Sequence, residues 1–291
     1  MTIKNKKFGV LNLLSSALIF SFFAVLSRTI GFSLPIFFLS WTRTIIIVII
    51  LYLFILISNN WIKLKRADII WVFLRSLGGF IGFFGSYIAF IFLPIGTAYF
   101  IFFAGSTVGG YLIGHLFFKE KINRTKILSL FLSLLGLSLI YTFDFNKDKF
   151  WYLVAALVSG IGASIWNTFS KKISHIYSAV QINFLDNLMF FLIALFLSLL
   201  LGEKWTYPTL SYVWTASMLF GVMFLVTGQL MVYGFSNLEA YTGSLIMLSE
   251  ILFGLIIGFL FYSEIPSTLT LTGGIIIILA MVLPETKVKK L

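Results

Sequence analysis

The chain has no cysteine and only two histidines, His115 and His175, in 291 residues. A disulfide framework, a thiolate zinc site and a cysteine nucleophile are therefore excluded, and two imidazoles are too few for a histidine metal cluster. Charge is also scarce, at 11% of residues, against about 25% in a soluble domain. There is no HExxH segment, no glycine-rich phosphate loop, no second aspartate to accompany Asp186 inside an apolar run, and no nucleotide-binding domain. The residue sets that intramembrane hydrolases and ATP-driven pumps require are missing, so the chain reads as a non-enzyme without cofactor or metal.

What is present is apolar surface. Hydrophobic residues make up 60% of the chain and the mean hydropathy is +1.05, so this is an integral membrane protein. A helical span takes about 20 mostly apolar residues. The sequence predicts ten, near 8–27, 34–57, 68–92, 95–118, 126–143, 150–170, 178–201, 210–233, 239–262 and 267–284. The runs are continuous rather than alternating with period two, which excludes a barrel and leaves an all-α membrane fold. The N-terminal MTIKNKKFGV resembles the start of a signal sequence but lacks a small-residue cleavage site, and is read as leading into a retained first span.

The 21 basic residues orient the spans. Fifteen fall on one side (Lys4, Lys6, Lys7, Lys63, Lys65, Arg66, Lys119, Lys121, Arg124, Lys126, Lys171, Lys172, Lys287, Lys289 and Lys290), and four on the other (Arg28, Lys147, Lys149 and Lys204). This bias places both termini in the cytoplasm of a multi-pass protein of the plasma (inner) membrane. It also accounts for most of the net charge of +11 without a nucleic-acid partner.

The chain is a duplication. Gly114 to Glu120 reads GHLFFKE and Gly258 to Glu264 reads GFLFYSE, an offset of 144 residues that also pairs Ser129 with Gly273 and Gly136 with Ala280. Five helices per half is an odd number, so the repeats, 1–145 and 146–291, are inverted, with the polar linker Asp144 to Lys149 between them.

Several residues together resemble the EamA repeat of the drug/metabolite transporter superfamily. They are Arg75 early in the third span, the Leu93-Pro-Ile-Gly-Thr-Ala98 turn, a fourth helix ending in Gly-x-x-x-x-x-Glu, and small residues nine and sixteen positions after that glutamate. The resemblance covers nearly the whole chain. It implies a basket of ten helices around a central cavity, alternating access, and small metabolites as substrates. The fourth helix departs from the usual pattern: Ala104-Gly105-Ser106-Thr107 has no proline after the serine.

A charge near the bilayer centre costs roughly 2.5–3.5 kcal/mol on insertion scales, so the few that occur there are the first candidates. Glu250 lies mid-span, and its repeat mate is Ser106. It is expected to bind a cationic group or exchange a proton. Arg75, opposite Leu219, offers a fork suited to a carboxylate or phosphate. Arg43 and Asp186 occupy matched depths and are assigned to repeat packing, with no contact claimed between them. Glu120 and Glu264, at helix C-terminal ends where a negative charge is unfavourable, are read as gate or fold residues. His115 is read as a packing residue rather than a proton relay. In the resembled fold, Tyr87, Tyr99, Trp166, Asn167, Gln229, Tyr233, Tyr241 and Ser244 fall on helices around the cavity. The glycines of the third, fourth and sixth spans provide small faces for close helix approach.

These residues predict a secondary transporter for an amino acid or related zwitterion, such as an S-adenosyl compound, coupled to protons or to exchange. A channel, or a membrane-embedded enzyme or scaffold, is the alternative. The expected partners are the substrate and the lipid bilayer, with a homodimer left open.

Overall fold

The structure is a computed structural model, and it describes residues 5–31, 33–93, 95–141 and 149–286. Lys4, Lys147, Lys287, Lys289, Lys290 and most of the Asp144–Lys149 linker lie outside the described residues. Among the described residues there are helices and turns and no strand. The helices are α1 (Lys6–Ser21), α2 (Phe23–Ile30), α3 (Ile36–Ser58), α4 (Arg66–Phe92), α5 (Ile95–Phe118), α6 (Arg124–Ile140), α7 (Phe150–Ile173), α8 (Ala179–Leu200), α9 (Tyr212–Ser236), α10 (Ala240–Met247), α11 (Ser249–Tyr262) and α12 (Thr268–Thr286).

Polar residues start several of these apolar rods by satisfying first-turn amides that have no helical partner. Asn5 accepts from Phe8, Asn123 from Lys126, Ser178 from Gln181 and Ser211 from Trp214. The joins α1–α2 and α10–α11 are breaks at single residues, Phe22 and Leu248, so the twelve helices form ten rods. Eight rods are long and apolar enough to cross a membrane, counting Lys6–Ser27 and Ala240–Tyr262 as one span each. With side chains such as Leu116, Phe131, Phe196 and Leu260 exposed on its outer surface, the chain is a multi-pass membrane protein. The remaining rods are shorter. α6 has 17 residues, about 26 Å of helix against a hydrocarbon core of about 30 Å, with Arg124 and Lys126 in its first turn. The apolar part of α12 is Thr268–Pro284.

The halves are intertwined. α7, the first helix of the second half, packs on α4 and α5, while α1 packs on α9, α10 and α11. Each half thus lends its first helix to the other, and the boundary at 145 divides the sequence without dividing the packing. Across the halves α3 also meets α8 and α6 meets α12. Small residues serve the contacts between the halves. A Cβ on Gly136 would stand 2.8 Å from the Gly273 carbonyl, and one on Gly162 would stand 2.7 Å from the Gly78 carbonyl and 3.0 Å from the Gly82 amide. Gly85 faces Ser159 in the same way. The small faces expected on the third and sixth spans are therefore one interface, α4 on α7, and it joins the two halves.

The duplicated Gly-x-x-x-x-x-Glu motif has a geometric cause. Lys119 and Ser263 both take φ of 55°, turning the chain back at the ends of α5 and α11. The amide of Glu120 then donates to the Gly114 carbonyl at 3.0 Å, and that of Glu264 to Gly258 at 3.2 Å. Each carboxylate folds over its glycine: a Cβ would lie 2.6 Å from Glu120 Oε2 or 2.9 Å from Glu264 Oε2. Glycine at both positions leaves room for the carboxylate to lie against the helix end. The Glu120 carboxylate goes on to accept from Lys171 Nζ at 2.7 Å and from the Ala240 amide at 2.8 and 3.0 Å. It caps the N-terminus of α10, where a negative charge is favourable, and this offsets its cost at the end of α5.

Candidate functional site

The break at Leu248 positions the site. α5 runs unbroken through Ala104–Thr107, whereas its counterpart in the second half interrupts its ladder, and Glu250 falls in the first turn of α11. The turn is tightened there, with the Leu248 amide donating to the Leu245 carbonyl at 3.0 Å and the Ile251 amide to the Leu248 carbonyl at 3.1 Å. Glu250 faces a cavity of about 170 Å³ between the two halves, and Ser106, its repeat mate, lines the same cavity. Trp166, Asn167 and Ser244 complete its polar rim together with Ser86 and Thr107, and Phe20, Phe83, Phe102, Phe103, Phe190 and Phe224 form the walls. Glu250 is the only charged residue among the described lining residues, and it forms no ion pair among the described residues. Asn167 Oδ1 and Ser244 Oγ are buried with no hydrogen-bond partner among the described residues. The cavity therefore presents one carboxyl group, neutral hydrogen-bonding groups and aromatic faces.

Arg75 is placed behind this cavity. Its guanidinium is 1% exposed, and Nε donates to Asp186 Oδ2 at 2.8 Å. Asp186 also accepts from Ser76 Oγ at 2.8 Å and Trp166 Nε1 at 3.1 Å. Arg75 Nη1 donates to the Trp166 carbonyl, and its guanidinium carbon sits 5.1 Å above the Trp166 ring. The network ties α4, α7 and α8 together and fixes the indole, which stacks on Phe224 at 5.8 Å and forms one wall of the cavity. Arg75 pairs with Asp186 through Nε, its Nη2 is buried without a hydrogen-bond partner among the described residues, and it is not among the cavity's lining residues.

Of the residues singled out from the sequence, the cavity brings together Glu250, Trp166, Asn167 and Ser244. Outside its lining, Tyr99 stacks between Phe103 and Tyr141. Tyr241 lies under Lys126 Nζ at 3.9 Å. Gln229 is half-buried, with both amide atoms unpaired among the described residues. Tyr87 is half-buried, and Tyr233 is 43% exposed. His115 is exposed at the end of α5, its Nδ1 3.2 Å from the Glu120 carbonyl. Sequence reasoning missed Ser86, Thr107 and every phenylalanine in the wall; the signal for the first two was a hydroxyl on a glycine-rich helix.

The EamA-like transporter family model matches the chain twice, over residues 7–142 and 150–284. The chain belongs to this family. A solved crystal structure of a protein superposes on this EamA-like chain with a TM-score of 0.80 at 15% identity, covering 94% of this chain and 97% of that one, which shows a shared fold. No curated protein matches the chain. Membership makes this EamA-like chain a membrane transporter of the drug/metabolite transporter superfamily.

Proposed function

We infer that this EamA-like chain is a secondary transporter that carries a small amine-bearing metabolite, an amino acid or a related zwitterion, by alternating access, coupled to protons or to exchange. The observation that carries the reading is the cavity between the halves in which Glu250 stands without a cationic partner among the described residues. An uncompensated carboxylate in a low-dielectric site is costly unless a substrate cation or a proton visits it. Its volume of about 170 Å³ is below the roughly 300–1,000 Å³ of drug-sized sites, which favours an amino-acid-sized ligand over a bulky S-adenosyl compound. The small-residue contact of α4 with α7 gives the halves a smooth surface on which to move.

The basic-residue bias supports ten spans in the inner membrane with both termini cytoplasmic, α6 and α12 crossing as a closely packed pair. In that orientation the bonds from Glu120 to Lys171 and Ala240 lie on the cytoplasmic side and act as a gate between α5, α7 and α10.

In proteoliposomes, uptake of labelled amino acids by the wild type is expected to saturate. Glu250→Gln, which keeps shape and removes charge, should reduce it at least about tenfold, since a single buried charge contact exceeds about 1.4 kcal/mol. Identical saturation of the two proteins at every pH would remove Glu250 from binding and coupling.

A further inference from the structure

A second intramembrane charge is left over from both packing and the central cavity. Arg43, in the second turn of α3, is 7% exposed. Its Nε donates to the Leu39 carbonyl at 3.0 Å and its guanidinium carbon lies 4.3 Å from the centre of the Phe220 ring. No carboxylate among the described residues pairs with it, and its two terminal nitrogens have no hydrogen-bond partner among them. The acid at the matched depth, Asp186, is bound to Arg75, so the packing role expected of the two residues finds a partner for Asp186 and none for Arg43. A cation–π contact returns less than a guanidinium inside the membrane costs. The balance calls for a negative charge that the described side chains do not supply.

Arg43 faces a space of about 30 Å³ between α3, α4, α8 and α9. One water takes about 10–15 Å³ of such space, so the room holds a single small ion and excludes a metabolite. Thr44 gives its hydroxyl to the Ser40 carbonyl at 2.9 Å. The donors left to face the space are the terminal nitrogens of Arg43 and the hydroxyl of Ser40, and most of the remaining lining is phenylalanine rings. No acid is among the described lining residues. One uncompensated cation in so small a room selects an anion of a single charge, because a divalent one would leave a negative charge over at a similar cost.

We propose that this space is a binding site for one small monovalent inorganic anion, chloride, held by Arg43 and Ser40 where α3 meets α4 and α9. The ion neutralises the guanidinium through charge-assisted hydrogen bonds and braces the three helices. It is a structural ion and not a part of the substrate site: Phe83, Phe190 and Phe224 stand between this space and the Glu250 cavity and line both. The assignment holds whatever Glu250 binds.

The purified full-length protein in detergent, exchanged into sodium gluconate, is titrated with chloride. Binding is read from the broadening of the chloride NMR line that bromide displaces, and from the melting temperature in chloride and gluconate at equal ionic strength. The wild type should show saturable, bromide-displaceable chloride and melt higher in chloride, because a ligand of the native state alone stabilises it. Arg43→Gln should weaken chloride at least about tenfold, the least expected from losing a charged donor, and should abolish the chloride-dependent rise in melting. In gluconate it should melt at or above the wild-type temperature, since it buries no charge in need of compensation; this also demonstrates folding. Arg43→Lys should retain part of the affinity. Gly221→Val tests the room without touching the charge. A Cβ there meets nothing nearer than the Arg43 stem at 3.8 Å, and the two methyl groups beyond it would enter the space of the ion, so this variant should also lose chloride. If Arg43→Gln does not fold, Gly221→Val decides, and chloride binding retained by it counts against the site. The proposal is overturned if the wild type shows no bromide-displaceable chloride, or if Arg43→Gln binds chloride as tightly as the wild type, which would place the ion at surface lysines.

Discussion

Asp186→Ala is expected to cost about 3–5 kcal/mol of stability, the usual penalty for leaving one partner of a buried ion pair uncompensated. Arg75 would keep its guanidinium at 1% exposure with the Trp166 carbonyl as its remaining acceptor, while Ser76 and Trp166 would each lose theirs. The loss spreads over α4, α7 and α8, so the protein in detergent should melt markedly lower. A double variant, Arg75→Met with Asp186→Leu, should recover most of the loss, because an apolar pair of similar volume carries no desolvation cost. Melting of Asp186→Ala at the wild-type temperature would mean that the pair does not hold these helices together. Because the network also fixes the Trp166 wall, residual transport by the double variant should be lower than its stability suggests.

Gly162→Val should be as damaging for a different reason. The position has backbone on two sides, the Gly78 carbonyl and the Gly82 amide, and neither can rotate away as a side chain could. An isopropyl group there must push α7 off α4 along the interface that joins the halves. Overpacking typically costs about 1–3 kcal/mol, and with rigid backbone opposite the upper end is expected, accompanied by loss of folded yield. Gly254, where an added Cβ meets nothing within 4 Å, is the internal control. Gly254→Ala should be indistinguishable from wild type, and equal damage at both positions would make the effect one of helix composition rather than of contact.

How far the sequence reached depended on whether a residue's partner lay within the repeat. The pairing of Gly114 with Glu120 and of Gly258 with Glu264 is local, and the motif marked both. Ser106 and Glu250, paired by the offset, line one cavity, so the repeat pointed to both. The Arg75–Asp186 bond could not be read: the residues are 111 positions apart, and the offset linked Asp186 to Arg43 instead. The exchange of first helices between the halves was equally hidden, since apolar composition does not state which apolar neighbour a helix takes. The phenylalanine walls were invisible for a compositional reason: with 34 phenylalanines in the chain, no single one stands out until its ring is seen against the cavity.

The central claim is that Glu250 and its cavity belong to a carrier, and counterflow tests it most directly. Vesicles loaded with a high concentration of unlabelled amino acid are diluted into a trace of the same labelled compound, and internal label is followed with time. The account predicts a transient overshoot of label above its equilibrium level for the wild type and none for Glu250→Gln. Label that rises monotonically to equilibrium through the wild-type protein, without overshoot and without saturation, would contradict it and identify a channel.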